Sequence, residues 1–269
     1  MTGRDNAANR RWASALCRWA IPDDLVAAAA ETPYFFSHAV FAAAADAALD
    51  RADDTVSDAV AKEALPDGGA VLDVGVGAGA ASLRLPAGHV IGVDPDAELL
   101  EAFTARAARR GIRSTAIQGA WPDVESRTPS AHVVVCHHVV YNVGDLAGFA
   151  TALTAHAGRR VVIELTAVHP MTWLSPYWEA LHGIRQPDRP TADDAVALLT
   201  GLGLEVRQQR WRRPVQMIGE NDADAVARIA RRLCLPLDRH EELARVLARD
   251  PPPTERDVVT LWWEGRGDP

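Results

Sequence analysis

Asp73 stands two residues ahead of three alternating glycines, Gly75, Gly77 and Gly79, and Asp94 follows fifteen residues beyond the last of them. Glycine at every second position lets a chain turn sharply and leaves no side chain to obstruct a ligand lying on the backbone. Carboxylates flanking such a turn can accept hydrogen bonds from hydroxyls or pair with an ammonium group. Asp73 is the more telling of the two, because Val71, Leu72 and Val74 around it are apolar. A charge inside a buried strand is costly to desolvate unless a partner meets it.

The elements needed to position these groups are legible. Val71 to Val74 is a short apolar strand, the glycines make a turn, and His89 to Val93 is a second strand ending at Asp94. Strand, glycine turn, helix, strand and acid is how an open α/β sheet grips the ribose of a nucleoside cofactor. A nicotinamide or flavin dinucleotide fits one reading, with Gly75, Gly77 and Ala80 as the fingerprint. Three features favour another cofactor. Asp73 offers a negative charge that a pyrophosphate does not need, the glycines alternate tightly, and Ala80 to Leu85 is short before Pro86 and Gly88 interrupt it.

With Asp73-Val-Gly75-Val-Gly77-Ala-Gly79 and the acid of Gly92-Val93-Asp94-Pro95, the chain resembles the class I S-adenosylmethionine-dependent methyltransferases. The resemblance covers residues 66 to 269, and its specific motifs lie within 71–96. It implies S-adenosyl-L-methionine as cofactor, with Asp73 and the glycine backbone on the methionine portion and Asp94 on both ribose hydroxyls. Asp96 is better placed as the cap of the helix from Ala97 to Arg110. Many members place an acid just after strand three, toward the adenine amino group. Here strand three (Ser114 to Gln118) runs into Gly119-Ala120-Trp121-Pro122-Asp123, so Ala120 offers only backbone atoms. Trp121 is a candidate to stack on the adenine, with a core position as its alternative, and Asp123 is a weaker substitute for the acid. The Asn-Pro-Pro-aromatic signature linked to methylation of exocyclic amines is absent, which points to a small-molecule acceptor.

Composition agrees with a folded domain that acts on small molecules. The chain has 269 residues, 48% hydrophobic and 24% charged, and a formal net charge of −8, which disfavours an extended nucleic-acid surface. Cys17, Cys136 and Cys234 are scattered, giving no zinc spacing and no disulfide framework. The polar N-terminus is no secretory signal, and no apolar run approaches a bilayer span, so a cytoplasmic protein is expected. An oligomer remains compatible with all of this.

The expected fold is α/β: a seven-stranded, mostly parallel, doubly wound sheet with an antiparallel last strand, plus an N-terminal helical cap. Residues 1–64 read as the cap, packed over the sheet's carboxyl edge, and 65–269 as the cofactor-binding domain. Residues 1 to about 10 are expected to be disordered. Helices then follow from Trp12, with an extension past Pro22, and over Ser37–Leu49 and Thr55–Leu65, with Asp23 and Ser37 as caps. His132–Cys136, Arg160–Leu165, Glu205–Trp211 and Asp257–Trp263 complete the strands.

Two loops border the methyl position. After strand four come His137, His138 and Tyr141. His138 or Tyr141 is a candidate general base and His137 a candidate to orient the cofactor, each against a packing role. After strand five come His169, a third candidate base, and Trp173, Tyr177 and Trp178, candidates to wall a pocket, the alternative being Trp178 and Leu181 as the buried face of a helix. Tyr34, Phe35, Phe36 and His38 are candidates to close the pocket from the cap. No third ligand accompanies the histidine pair at a metal-binding spacing. The rival functions are a nicotinamide-dependent oxidoreductase and a non-catalytic cofactor-binding protein on the same fold.

Overall fold

A computed structural model describes residues 3–34, 37–215 and 222–266. Phe35 and Phe36 lie outside the described residues. The strands are β1 (Ala70–Val74), β2 (His89–Asp94), β3 (Arg113–Gln118), β4 (Ala131–His137), β5 (Ala157–Thr166), β6 (Arg207–Pro214) and β7 (Glu255–Glu264). The helices are α1 (Gly3–Cys17), α2 (Asp23–Ala28), α3 (His38–Asp50), α4 (Val56–Ala64), α5 (Ala97–Arg109), α6 (Leu146–His156), α7 (Ser175–His182), α8 (Ala192–Gly201), α9 (Asp222–Arg232) and α10 (His240–Arg249).

The strands form one sheet in the order β3-β2-β1-β4-β5-β7-β6. β7 pairs antiparallel with both β5 and β6, and the others all run one way. The order reverses between β1 and β4, and ligands bind outside the carboxyl ends of the strands at such a switch point. A dinucleotide domain would end in parallel strands; the inserted antiparallel β7 is the methyltransferase layout.

The apolar runs that read as strands are buried on both faces. Leu72, Val134, Ile163, Leu261 and Trp263 pack on one face with Phe149 and Leu153 of α6 and Leu198 of α8. Val71, Val133, Val135 and Val162 pack on the other with Ala61 and Ala64 of α4. Val90 of β2 packs with Leu100 and Phe103 of α5. Two-sided burial is why these strands lack alternation.

Caps set the helix starts. Asp96 accepts from the amides of Glu98 and Leu99, and Ser37 from that of Ala39. Thr55 and Asp58 form a reciprocal capping box on α4, as Thr191 and Asp194 do on α8. Asp23 is not a cap: Pro22 precedes α2, with no side-chain hydrogen bond.

The division of the chain at residue 64 changes. α4 packs against β4, β5 and β7, so the sheet layers begin at residue 56 rather than 65. α1 starts at Gly3 instead of near Trp12 and lies on α6 and α8. Its buried Trp12 donates an indole hydrogen bond to the Val143 carbonyl at 2.8 Å. A second core joins segments far apart in sequence: Leu174, Tyr177, Trp178 and Leu181 around α7, Ile229 of α9 and Leu233 just after it, and Leu243 of α10, with Ile21 and Leu25 beside them. Tyr177 and Trp178 are thus the buried face of a helix, and the Tyr177 hydroxyl donates to the Asp250 carbonyl. Among the described residues no helix is long and apolar enough to cross a membrane.

Candidate functional site

The glycine turn leaves β1 with φ of 75°, 50° and 92° at Gly75, Gly77 and Gly79, a left-handed backbone that side-chain-bearing residues rarely adopt. The amides of Gly75 and Val76 donate to the Val93 carbonyl at 2.8 and 3.1 Å, which ties the turn to β2. The Asp94 carboxylate completes the tie, with Oδ2 accepting from the Gly77 amide at 2.9 Å and Oδ1 from the Asp96 amide at 3.0 Å. Burial raises the Asp94 pKa against the pull of those two amides. Each oxygen keeps a second lone pair for an outside donor.

Asp73 differs. It is fully buried, and neither carboxylate oxygen has a hydrogen-bond partner. Burial pushes its pKa up to about 6, with Ser82 and His137 pulling the other way. The Ser82 hydroxyl is itself buried without a partner. An orphaned carboxylate beside a side-chain-free turn, with a second carboxylate at the next strand tip, fits a cofactor that carries both an ammonium group and ribose hydroxyls.

Gly75 is held tightly as well as strained. A Cβ there would collide with Val139 Cγ2. Gly75→Ala is therefore expected to cost about 1–3 kcal/mol, from the positive φ and from overpacking. Adding Val139→Ala should recover only the packing share in thermal melts. A Cβ on Gly77 would meet only Phe41 Cδ1, at 3.7 Å, so α3 lies just across from the turn. His38 at the start of α3 bridges Asp96 at 2.7 Å and Glu98 at 2.8 Å, and Asp96 and Glu98 in turn raise the His38 pKa.

The three candidate bases separate in the structure. Tyr141 is buried, its hydroxyl donates to the Thr166 carbonyl at 2.9 Å, and burial raises its pKa. That takes it out of the set. His169 stacks on Trp19 with ring centroids 3.9 Å apart, meets Tyr141 edge to face, and is driven by burial to a pKa of about 4. It is a neutral packing residue, and its Nδ1 accepts from the Met171 amide. His138 alone is presented. Its φ of 60° lifts it out of strand geometry, and its side chain is 39% exposed.

His138 sits in a polar cluster that the sequence reading passed over. Nε2 lies 3.0 Å from Glu164 Oε1 and 3.2 Å from Arg213 Nη1, and Arg213 Nη1 donates to the same Glu164 oxygen at 2.9 Å. Ser57 of α4 donates to Glu164 Oε2 at 2.7 Å and bonds Thr260 of β7. His137 Nδ1 is 3.9 Å from Oε2, and its Nε2 is buried without a partner. Burial alone would raise the Glu164 pKa, but His137, His138 and Arg213 together hold it below the usual carboxylate range. The signal for Glu164 was the one that exposed Asp73: an acid within an apolar strand, here Val161-Val162-Ile163-Glu164-Leu165.

The residues after β3 are placed differently from the expectation. Ala120 and Pro95 are exposed near the carboxyl edge, where the Gly119 amide donates to the Asp94 carbonyl. Trp121 packs against the main core and edge-on to His156, the last residue of α6. A helix that follows a parallel strand runs back down the sheet, so α6 ends at the edge opposite the glycine turn. Trp121 therefore turns toward the core, the alternative expected for it.

Residues 71–157 match the family described as a methyltransferase domain. No curated protein matches the sequence. The YcgJ protein of Bacillus subtilis shares the fold with a TM-score of 0.54 at 20% identity, over 78% of this chain and 97% of its own. The protein BH2331 of Bacillus halodurans C-125 gives 0.50 at 12% identity, over 77% and 96%. An S-adenosylmethionine-dependent methyltransferase from Thiobacillus denitrificans, in complex with S-adenosyl-L-homocysteine, gives 0.48 at 17% identity, over 83% and 97%. At these identities the first two are likenesses of fold. The chain carries a methyltransferase domain, and its strand order and carboxylate–glycine turn are consistent with the class I S-adenosylmethionine-dependent methyltransferases. It is an enzyme of methyl transfer, and its cofactor is S-adenosyl-L-methionine.

Proposed function

We propose that the chain methylates a small-molecule acceptor bound above the tip of β4, with His138 as general base. When bound, the cofactor supplies an electrophilic methyl group on a sulfonium. Asp73 and the backbone of Gly75, Gly77 and Gly79 would hold the methionine portion. Asp94 would accept from the ribose hydroxyls, and Pro95 and Ala120 would border the base through backbone atoms. His137 lies between Asp73 and Glu164 and would fix the floor of the methionine site.

The observation that carries the base assignment is the asymmetry of His138. Its Nε2, as the protonated nitrogen, donates to Glu164 Oε1 at 3.0 Å, whereas Nδ1 has no hydrogen-bond partner among the described residues. A carboxylate fixing one ring nitrogen leaves the other aimed and basic, which is the arrangement general-base catalysis needs. Alignment of the acceptor supplies most of the remaining acceleration. α3, latched by His38 to Asp96 and Glu98 and carrying Phe41 across from Gly77, would act as the lid. The three free cysteines suit a reducing, cytoplasmic setting.

Titration calorimetry with S-adenosylhomocysteine and with NADH tests the cofactor site. Binding of the first and none of the second is expected; preference for NADH would reverse the assignment. For the base, His138→Ala should lower kcat and leave the S-adenosylhomocysteine affinity within about threefold. General-base losses are on the order of 10²–10⁴-fold.

A further inference from the structure

Arg213 and Arg256 are direct partners in the β6–β7 register. Residues opposite one another in an antiparallel pair share a face, and like charges so placed repel. β7 runs against the rest of the sheet, so its first residues and the last residues of β6 meet at the carboxyl edge, beside the tip of β4.

Among the described residues one carboxylate serves this pair, and it is already engaged. Glu164 Oε1 takes Arg213 and His138, and Oε2 takes Ser57. Glu255 and Asp257, the chain neighbours of Arg256, alternate to the other face and meet Arg212 at 3.9 and 2.9 Å. The Arg256 guanidinium has no ion pair or hydrogen bond among the described residues. Its side chain reaches solvent, yet burial and the neighbouring Arg213 charge lower its pKa and outweigh the weaker pull of Glu164. Two guanidinium groups facing one spent carboxylate leave a positive charge unanswered next to the base.

We infer that the methyl acceptor carries an anionic group, a carboxylate or a phosphate, held between Arg213 and Arg256 beside His138. This rests on the reading that the acceptor binds above β4. Guanidinium forks match carboxylate and phosphate oxygens in bidentate geometry. An anion there would relieve the repulsion across the β6–β7 pair, so the ligand recovers what the free site loses. It would also fix the acceptor at one end while its nucleophilic atom faces His138 Nδ1. A neutral acceptor would leave Arg256 as unpartnered as it is in the free chain.

The experiment uses the purified full chain and S-adenosylmethionine labelled in the methyl group. Protein-free metabolites of the producing cells are split by anion exchange into anionic and neutral fractions. Label is expected in the anionic fraction, and Arg256→Gln should reduce it at least tenfold with S-adenosylhomocysteine affinity unchanged. That variant removes a guanidinium with no hydrogen bond or ion pair among the described residues, so folding should be preserved, and a thermal melt checks this. Phosphatase treatment of the fraction beforehand separates the two sources: uptake that survives marks a carboxylate, uptake that is lost marks a phosphate. Label confined to the neutral fraction, or unaffected by Arg256→Gln, overturns the inference while methyl transfer stands. Label in neither fraction, with S-adenosylhomocysteine still bound, overturns the small-molecule acceptor reading and this inference with it.

Discussion

Replacing Asp73 with asparagine is expected to make the ligand-free chain more stable at pH 7.5 and the cofactor-binding chain worse. The carboxylate is buried with no hydrogen-bond partner, and its pKa lies near 6. Its pKa is therefore above the ordinary aspartate value of about 3.9, so the folded chain binds more protons than the unfolded one between those values. Stability from this group rises as pH falls through 6 and is lost as pH climbs above it. At pH 7.5 the ionised Asp73 costs on the order of 3 kcal/mol, from about two units of raised pKa. Asparagine removes that cost but buries an amide with no better partners, at about 1–2 kcal/mol. The charge effect wins by about 1–2 kcal/mol, and the melting temperature should rise by about 2–8 °C for a chain of this length.

Binding moves the other way. A carboxylate facing an ammonium group is worth about 1.5–3 kcal/mol as a charged hydrogen bond, so Asp73→Asn should weaken S-adenosylhomocysteine by about 10- to 100-fold. The wild-type chain should also lose affinity as pH drops below 6, because the proton competes with the ligand's ammonium, and the variant should lose this dependence. Calorimetry at pH 5 and 7.5 reads both effects. A variant that melts lower and binds equally well would show that Asp73 is a structural acid with partners of its own.

The proposed cofactor half of the site was legible because it is local. Asp73, the glycines and Asp94 fall within 22 residues, and each type is dictated by backbone conformation or by burial. The strands were legible for a related reason, since β1, β2 and β4 are short runs dominated by apolar residues. Glu164 stood in equally plain view. It is an acid in a buried strand, but no neighbouring glycine turn advertised it.

The acceptor half is assembled from the whole chain, and there the sequence falls silent. Arg213 and Arg256 are 43 positions apart, and only the β6–β7 register puts them face to face. Ser57 reaches Glu164 because α4 docks on β5 and β7, a contact hidden while residues 1–64 are read as a separate cap. Tyr141 and His169 show the converse. A tyrosine and a histidine in the correct loops are tempting bases until packing is known, and Trp12 and Trp19 from the N-terminal segment turn both into an aromatic stack.

Glu164 carries the largest expected loss of stability. Removing one member of a buried ionic cluster leaves the others uncompensated, typically at about 3–5 kcal/mol. Glu164→Ala would strand Arg213, leave Ser57 and Thr260 with each other, and free His138 to rotate. For a chain of this size the melting temperature should fall by roughly 6–20 °C at pH 7.5. Glu164→Gln should fall by less, because its amide can face Ser57 while its oxygen still accepts from Arg213. The pH dependence identifies charge as the cause. The Glu164 pKa is depressed in the fold, so its contribution is present above the ordinary glutamate value of about 4.3 and is lost as pH falls below it toward the folded pKa. Wild-type and variant melting temperatures should therefore converge as acid is added below about pH 4. In kinetics, Glu164→Gln should lower kcat more than it raises KM, because it disturbs the aim of His138 and leaves the acceptor's arginines in place. A gap in melting temperature that stays constant from pH 7.5 to pH 3 would mean that Glu164 supports the fold by shape alone and that His138 is not oriented by its charge.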